Sequence, residues 1–141
     1  MVCQEIKDFL AAHADARYAA FVTSLMPGAR PVVGVRLPVL RALAKEITKG
    51  DWRTYLEEAV DDTFEEVMLQ GYVTGAARMP FEEQMERMTA YVRKINDWAL
   101  CDSPCSGFKF VRKHREEVWA FLQPYLYSGE VFSQRFAVVM L

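Results

Sequence analysis

The chain has 141 residues, 52% of them hydrophobic and 26% charged, which fits one globular domain with a real core and excludes a disordered segment. A net charge of −2 excludes a uniformly basic nucleic-acid binder. No run reaches the roughly 18–20 apolar residues of a membrane span, and the start, Met1 to Asp8, lacks the basic-then-apolar pattern of a secretory signal.

The charge is unevenly spread. Residues 1–86 carry 9 Lys and Arg against 14 Asp and Glu, whereas residues 87–141 carry 8 against 5, so an acidic chain can still present a basic face. Three widely separated cysteines make no disulfide framework, and a reducing cytoplasm is the expected compartment.

In chain order, Ile6, Phe9, Leu10, His13, Arg17, Phe21 and Leu25 fall near helical spacing and predict one helix from Cys3 to about Met26. Met26-Pro27-Gly28 breaks it, and an extended connector follows to Pro38, which can open a helix. Val39, Leu40, Leu43, Ala44 and Ile47 give that helix its apolar stripe, closed by Lys49-Gly50. Asp51 is a suitable N-cap for a short helix with Trp52, Tyr55, Leu56 and Val60. Asp62 or Thr63 with Glu65 or Glu66 has capping-box spacing and opens another, carrying Val67, Leu69, Tyr72 and Val73. Pro80 starts the next, with Glu82 and Glu83 favourable at its positive end and Met85, Met88, Tyr91, Val92 and Ile95 inward.

Between that helix and a basic segment lies Lys94 to Ser103, in which Trp98 and Asp102 share one helix face at i and i+4. An indole and a carboxylate so placed could pack on a sugar and supply negative charge beside it; they could equally be a core tryptophan and a helix-end aspartate. Ser103-Pro104-Cys105-Ser106-Gly107 reads as a break or a cap. A helix from about Lys109 to Tyr127 then carries Lys109, Arg112, Lys113, His114 and Arg115 in its opening turns, and Glu130 begins a last one with Arg135.

No period-2 alternation is long enough for a strand. The expected fold is all-α, an array of antiparallel helix pairs recurring about every 35 to 45 residues, like a two-helix solenoid. Residues 1–141 read as a single helical-repeat domain. The chain stops on Phe136-Ala137-Val138-Val139-Met140-Leu141, mid-helix and apolar, where a solenoid has a polar cap. This predicts C-terminal truncation, with the chain the N-terminal part of a longer domain, or self-association through the apolar end.

Four segments resemble the bacterial DNA alkylation repair family of AlkD-like HEAT-repeat glycosylases. They are Gly34-Val35-Arg36-Leu37-Pro38-Val39-Leu40-Arg41, Phe64-Glu65-Glu66-Val67-Met68-Leu69, Asn96-Asp97-Trp98-Ala99-Leu100-Cys101-Asp102 and Arg135-Phe136-Ala137-Val138, in family order across residues 30–141. The resemblance implies a HEAT-like solenoid that binds duplex DNA on a concave basic face. It implies excision of N3- and N7-alkylated purines with no metal, no cofactor and no lyase step, and with the lesion able to stay in the stack. By the same resemblance Trp98 packs against the deoxyribose, Asp102 stabilises the oxocarbenium-like sugar and orients the water, and Arg135 holds a backbone phosphate. Two features depart from the pattern. The aromatic residue that the family uses shortly before the first motif has no assigned counterpart, and the tryptophan expected after Arg135 would lie beyond Leu141.

Plainer readings stand beside these. Trp98 can be core, Asp102 the cap of a helix starting at Ser103-Pro104, and Arg135 a packed stem with its head in water. Lys109, Arg112, Lys113 and Arg115 can be a solvated face rather than a phosphate-tracking surface. Cys101, Cys105 and His114 do not have the spacing of a usual zinc site and are expected as buried thiols with a nearby histidine. The Met79, Met85 and Met88 set reads as core filling. The alternative to a DNA glycosylase is a catalytically inactive helical-repeat module that binds DNA or protein.

Overall fold

The computed structural model describes residues 3–25, 30–95, 98–105, 108 and 113–140, less the side chains of Cys3 and Trp98. Among them are nine helices and no strand: α1 (Cys3–Ala12), α2 (Ala16–Leu25), α3 (Leu37–Thr48), α4 (Trp52–Glu58), α5 (Phe64–Ala76), α6 (Phe81–Val92), α7 (Trp98–Cys105), α8 (Arg115–Leu126) and α9 (Val131–Met140). None of the described helices is long and apolar enough to cross a membrane.

Helix α3 packs on α5, α5 on α7 and α7 on α9, making one row; α4, α6 and α8 pack against α3, α5 and α9 respectively. This is the packing of a helical-repeat solenoid. The row helices begin at Leu37, Phe64, Trp98 and Val131, so the repeat is shorter than the 35–45 residues expected, partly because α4 has only 7 residues. Helix α5 lies at the centre, with every residue from Phe64 to Thr74 buried. Around it Leu10, Leu40, Met88, Leu100, Leu122 and Phe136 are shielded from solvent. Met88 is in that core, and Met79 and Met85 pack partly buried against it.

Local chemistry sets the helix ends. Asp51 accepts from the Thr54 N–H at 3.2 Å, and Thr63 accepts from the Glu66 N–H at 3.2 Å while donating its hydroxyl to Glu66 Oε1 at 2.9 Å. Pro38 is in the first turn of α3, where its missing N–H costs nothing.

Three expectations are corrected. The single helix from Cys3 is two, because Asp15 Oδ1 accepts from the N–H groups of Arg17 and Tyr18 at 2.9 and 3.1 Å and restarts the helix as its cap. The helix expected from Lys109 begins at Arg115, after His114, whose ring stacks on Phe81 at 3.9 Å. Ser103 and Pro104 do not start a helix, since both lie inside α7, whose last residue is Cys105; Ser106 and Gly107 of the expected break lie outside the described residues. The Met26-Pro27-Gly28 break falls outside the described residues.

Candidate functional site

The site is organised by α7, an eight-residue helix with Pro104 inside it. Pro104 has no N–H to give the Leu100 carbonyl four residues back. The Tyr91 hydroxyl of α6 donates to that carbonyl at 2.6 Å. Gly71 of α5 makes room for both: a Cβ there would stand 2.6 Å from Pro104 Cβ and 2.6 Å from Tyr91 Cζ. The inward side of α7 carries Leu100, Cys101 and Cys105, all buried. The hydrogen bond with Cys101, then burial, pushes the Cys105 thiol far above its ordinary range.

With that side fixed, Asp102 and Ser103 are turned outward, half-buried. Arg135 of α9, 33 residues on in sequence, meets Asp102 in a two-pronged ion pair. Its Nε donates to Oδ1 at 2.7 Å and its Nη2 donates to Oδ2. The side chains are 35% and 44% exposed, so the pair faces solvent. The hydrogen bond to Asp102, reinforced by its charge, holds the Arg135 guanidinium above its usual pKa. The reading of Asp102 as the cap of a following helix is therefore corrected: it is the fifth residue of α7 and pairs across to α9.

Next to it, Ser103 Oγ lies 2.6 Å from the Tyr72 hydroxyl of α5 and accepts from Arg41 Nη2 of α3 at 3.3 Å. The Arg41 guanidinium also lies over the Tyr72 ring, 5.4 Å from its centroid. All four row helices thus contribute to one polar strip, of which Arg41, Tyr72 and Ser103 were not foreseen as site residues. Arg41 closes the first quoted motif and could have been noticed there. Tyr72 read only as one of the residues carried by its helix, and only the packing of α5 on α7 brings its hydroxyl to Ser103.

Trp98 is the first residue of α7, one turn before Asp102; its side chain lies outside the described residues. Lys109 and Arg112 also lie outside them. Lys113 and Arg115 are exposed at the start of α8, a flanking helix, and not in the row. Among the described residues no three His, Cys, Asp or Glu side chains gather as they would around a metal ion.

The family model described as DNA alkylation repair enzyme matches residues 6–141. Comparison with curated proteins found no match, and neither did comparison with solved structures.

Proposed function

The chain belongs to the DNA alkylation repair enzyme family, which supports a role in DNA repair, and we propose that it hydrolyses the N-glycosidic bond of N3- and N7-alkylated purines in duplex DNA. The observation that carries this reading is the Asp102–Arg135 pair, an exposed carboxylate and a guanidinium held together on neighbouring row helices. The chemistry asks for little more. An alkylated purine is cationic and leaves with the C1′–N bonding electrons as a neutral base, so the barrier lies in the positive charge that grows on the sugar. A carboxylate beside that sugar favours the growing charge and can orient the water that attacks C1′. No metal is required to activate such a leaving group.

In this reading Asp102 acts on the sugar and water, Trp98 packs on the deoxyribose, and Arg135 holds a backbone phosphate. Lys109, Arg112, Lys113 and Arg115 extend the basic surface along the duplex. Tyr18, whose ring lies 4.5 Å from the Arg36 guanidinium at the connector, is our candidate for the aromatic that the family places before its first motif.

The test is release of 7-methylguanine from methylated duplex DNA by the 141-residue chain beside its Asp102→Asn variant. The expected result is release by the parent and a loss of about 100-fold or more in the variant, the scale of one transition-state electrostatic contact. Equal release by both would take Asp102 out of the mechanism. A second reading, a repair-family scaffold that binds duplex without cleaving it, is favoured by one feature: both Asp102 oxygens are already occupied by Arg135. Duplex binding with no release by the parent would establish it.

A further inference from the structure

Resting on that reading, we propose that the Asp102–Arg135 pair is an autoinhibitory latch, opened when a DNA phosphodiester takes Arg135 from the carboxylate.

A guanidinium fork fits a carboxylate and a phosphate equally well, since each offers two oxygens in one plane. Here the fork is filled from within the protein. The Nε of Arg135 points at Asp102 Oδ1 and its Nη2 at Oδ2, so Asp102 fills the Nε edge, one of the two edges by which a guanidinium can hold an anion with two oxygens. That edge cannot serve both anions, and the latch is opened by a phosphate that takes it; a phosphate held on the opposite Nη1 edge would leave the pair closed. Occupied by Arg135, Asp102 does not present bare negative charge to a sugar, and Arg135 does not present that edge to a phosphate. When a phosphodiester captures the guanidinium, both are armed by one displacement: the protein gains a backbone contact, and the freed carboxylate stands where positive charge can develop.

The pair is built for such an exchange. It is half-exposed, so an incoming phosphate can reach it and water can re-solvate the released carboxylate. It joins two separate helices, α7 and α9, and Asp102 is backed by a buried face that does not have to move. An ion pair this exposed contributes little to stability, so its loss on binding is easily offset by the phosphate. The consequence is selectivity in time: the carboxylate is released from its compensating cation only with a duplex backbone in place.

A double-mutant cycle on undamaged duplex, where no chemistry occurs, tests this. Dissociation constants are measured at one fixed salt concentration for the parent, Asp102→Asn, Arg135→Gln and the double variant. Removing the internal competitor should tighten binding about two- to fivefold, the range set by what such a pair is worth. In the Arg135→Gln background the same change should vanish, because there is no fork to release. Equal tightening in both backgrounds means only that a negative charge has left the surface, and it overturns the latch, as does no tightening at all. In the parent protein, the Arg135 Nε–H NMR signal, identified by its absence in Arg135→Gln, should shift when a short duplex is added; a signal that stays put while other resonances move overturns the latch independently. No duplex binding by any of the four proteins would instead overturn the underlying DNA-binding reading.

Discussion

Glu65 closes on the backbone of Gly34: its Oε2 accepts the Gly34 N–H at 2.9 Å and the Val35 N–H at 3.3 Å, while Oε1 accepts from Val33 at 2.9 Å. One fully buried carboxylate thus satisfies three successive amides of the connector and fixes it against α5. Gly34 itself has φ +97, and a Cβ there would stand 2.2 Å from the Asp15 carbonyl oxygen, so the close turn admits no side chain. The connector leads directly into α3, which carries Arg41.

Glu65→Ala should therefore destabilise the protein by about 3 kcal/mol or more, since it strands several amides at about 1–3 kcal/mol each. Glu65→Gln keeps one accepting oxygen and should cost less. Urea unfolding of the three proteins checks this. Coincident midpoints would mean that the connector finds other partners and that the clamp does not hold it.

The legibility of the fold follows from these contacts. Helices with an apolar stripe, such as α3 and α6, announce themselves by spacing, and Asp51 and Thr63 announce their caps, because these signals are local. Helix α5 is buried all round, so its face toward α7 has no pattern in sequence, and Tyr72 gave no sign of its hydroxyl's partner. Asp15 was hidden inside an apparently continuous apolar period, which its side chain interrupts by capping α2. That Pro104 lies inside α7 and not at the start of a helix was not legible, because its accommodation depends on Tyr91, thirteen residues earlier and on another helix. Asp102 and Arg135 could each be singled out, but their meeting depends on the packing of α7 on α9.

The cap at Asp15 predicts an acid-sensitive helix end. Hydrogen bonding by the Tyr18 N–H, with Arg17 and Arg36 adding to it against a smaller opposing effect of desolvation, holds the Asp15 carboxyl below its ordinary pKa. A depressed carboxylate contributes its stability above the unfolded value of about 3.9 and loses it as pH falls through the folded value. The Cα chemical shifts of the first turn of α2 should stay helical from pH 6 to about 4, then move toward coil. Asp15→Asn, which caps without titrating, should remove that step. A step of equal size in both proteins would assign it to some other group.

Cys101 and Cys105 should be inert in the folded protein. Both are buried, and the Cys105 thiol is pushed up by the hydrogen bond with Cys101 and by burial, whereas only a thiolate reacts readily. Iodoacetamide at pH 8 followed by peptide mapping should leave both unmodified in native protein and label both in urea. Labelling of native Cys105 at the urea rate would show that α7 leaves its seat easily, contrary to the packing described.

The seat of α7 can be tested through the Leu100 carbonyl, to which Pro104 has no N–H to give. If the Tyr91 hydroxyl stands in for that N–H at Leu100 O, Tyr91→Phe should cost about 1–3 kcal/mol, the cost of removing a partner from a buried acceptor. Pro104→Ala supplies an N–H at the right position, so in that background Tyr91→Phe should cost clearly less. The two residues also share contact with Gly71, where a Cβ would clash with both. Gly71→Ala should therefore destabilise the protein, whereas an ordinary helical Gly→Ala change favours the helix by about 1 kcal/mol. Chemical unfolding of the Tyr91 and Pro104 variants, singly and combined, gives the coupling energy directly. Additive costs would mean that the hydroxyl does not replace the missing donor. Coupling would mean that proline and tyrosine act together to hold α7, and with it the outward aim of Asp102 toward Arg135.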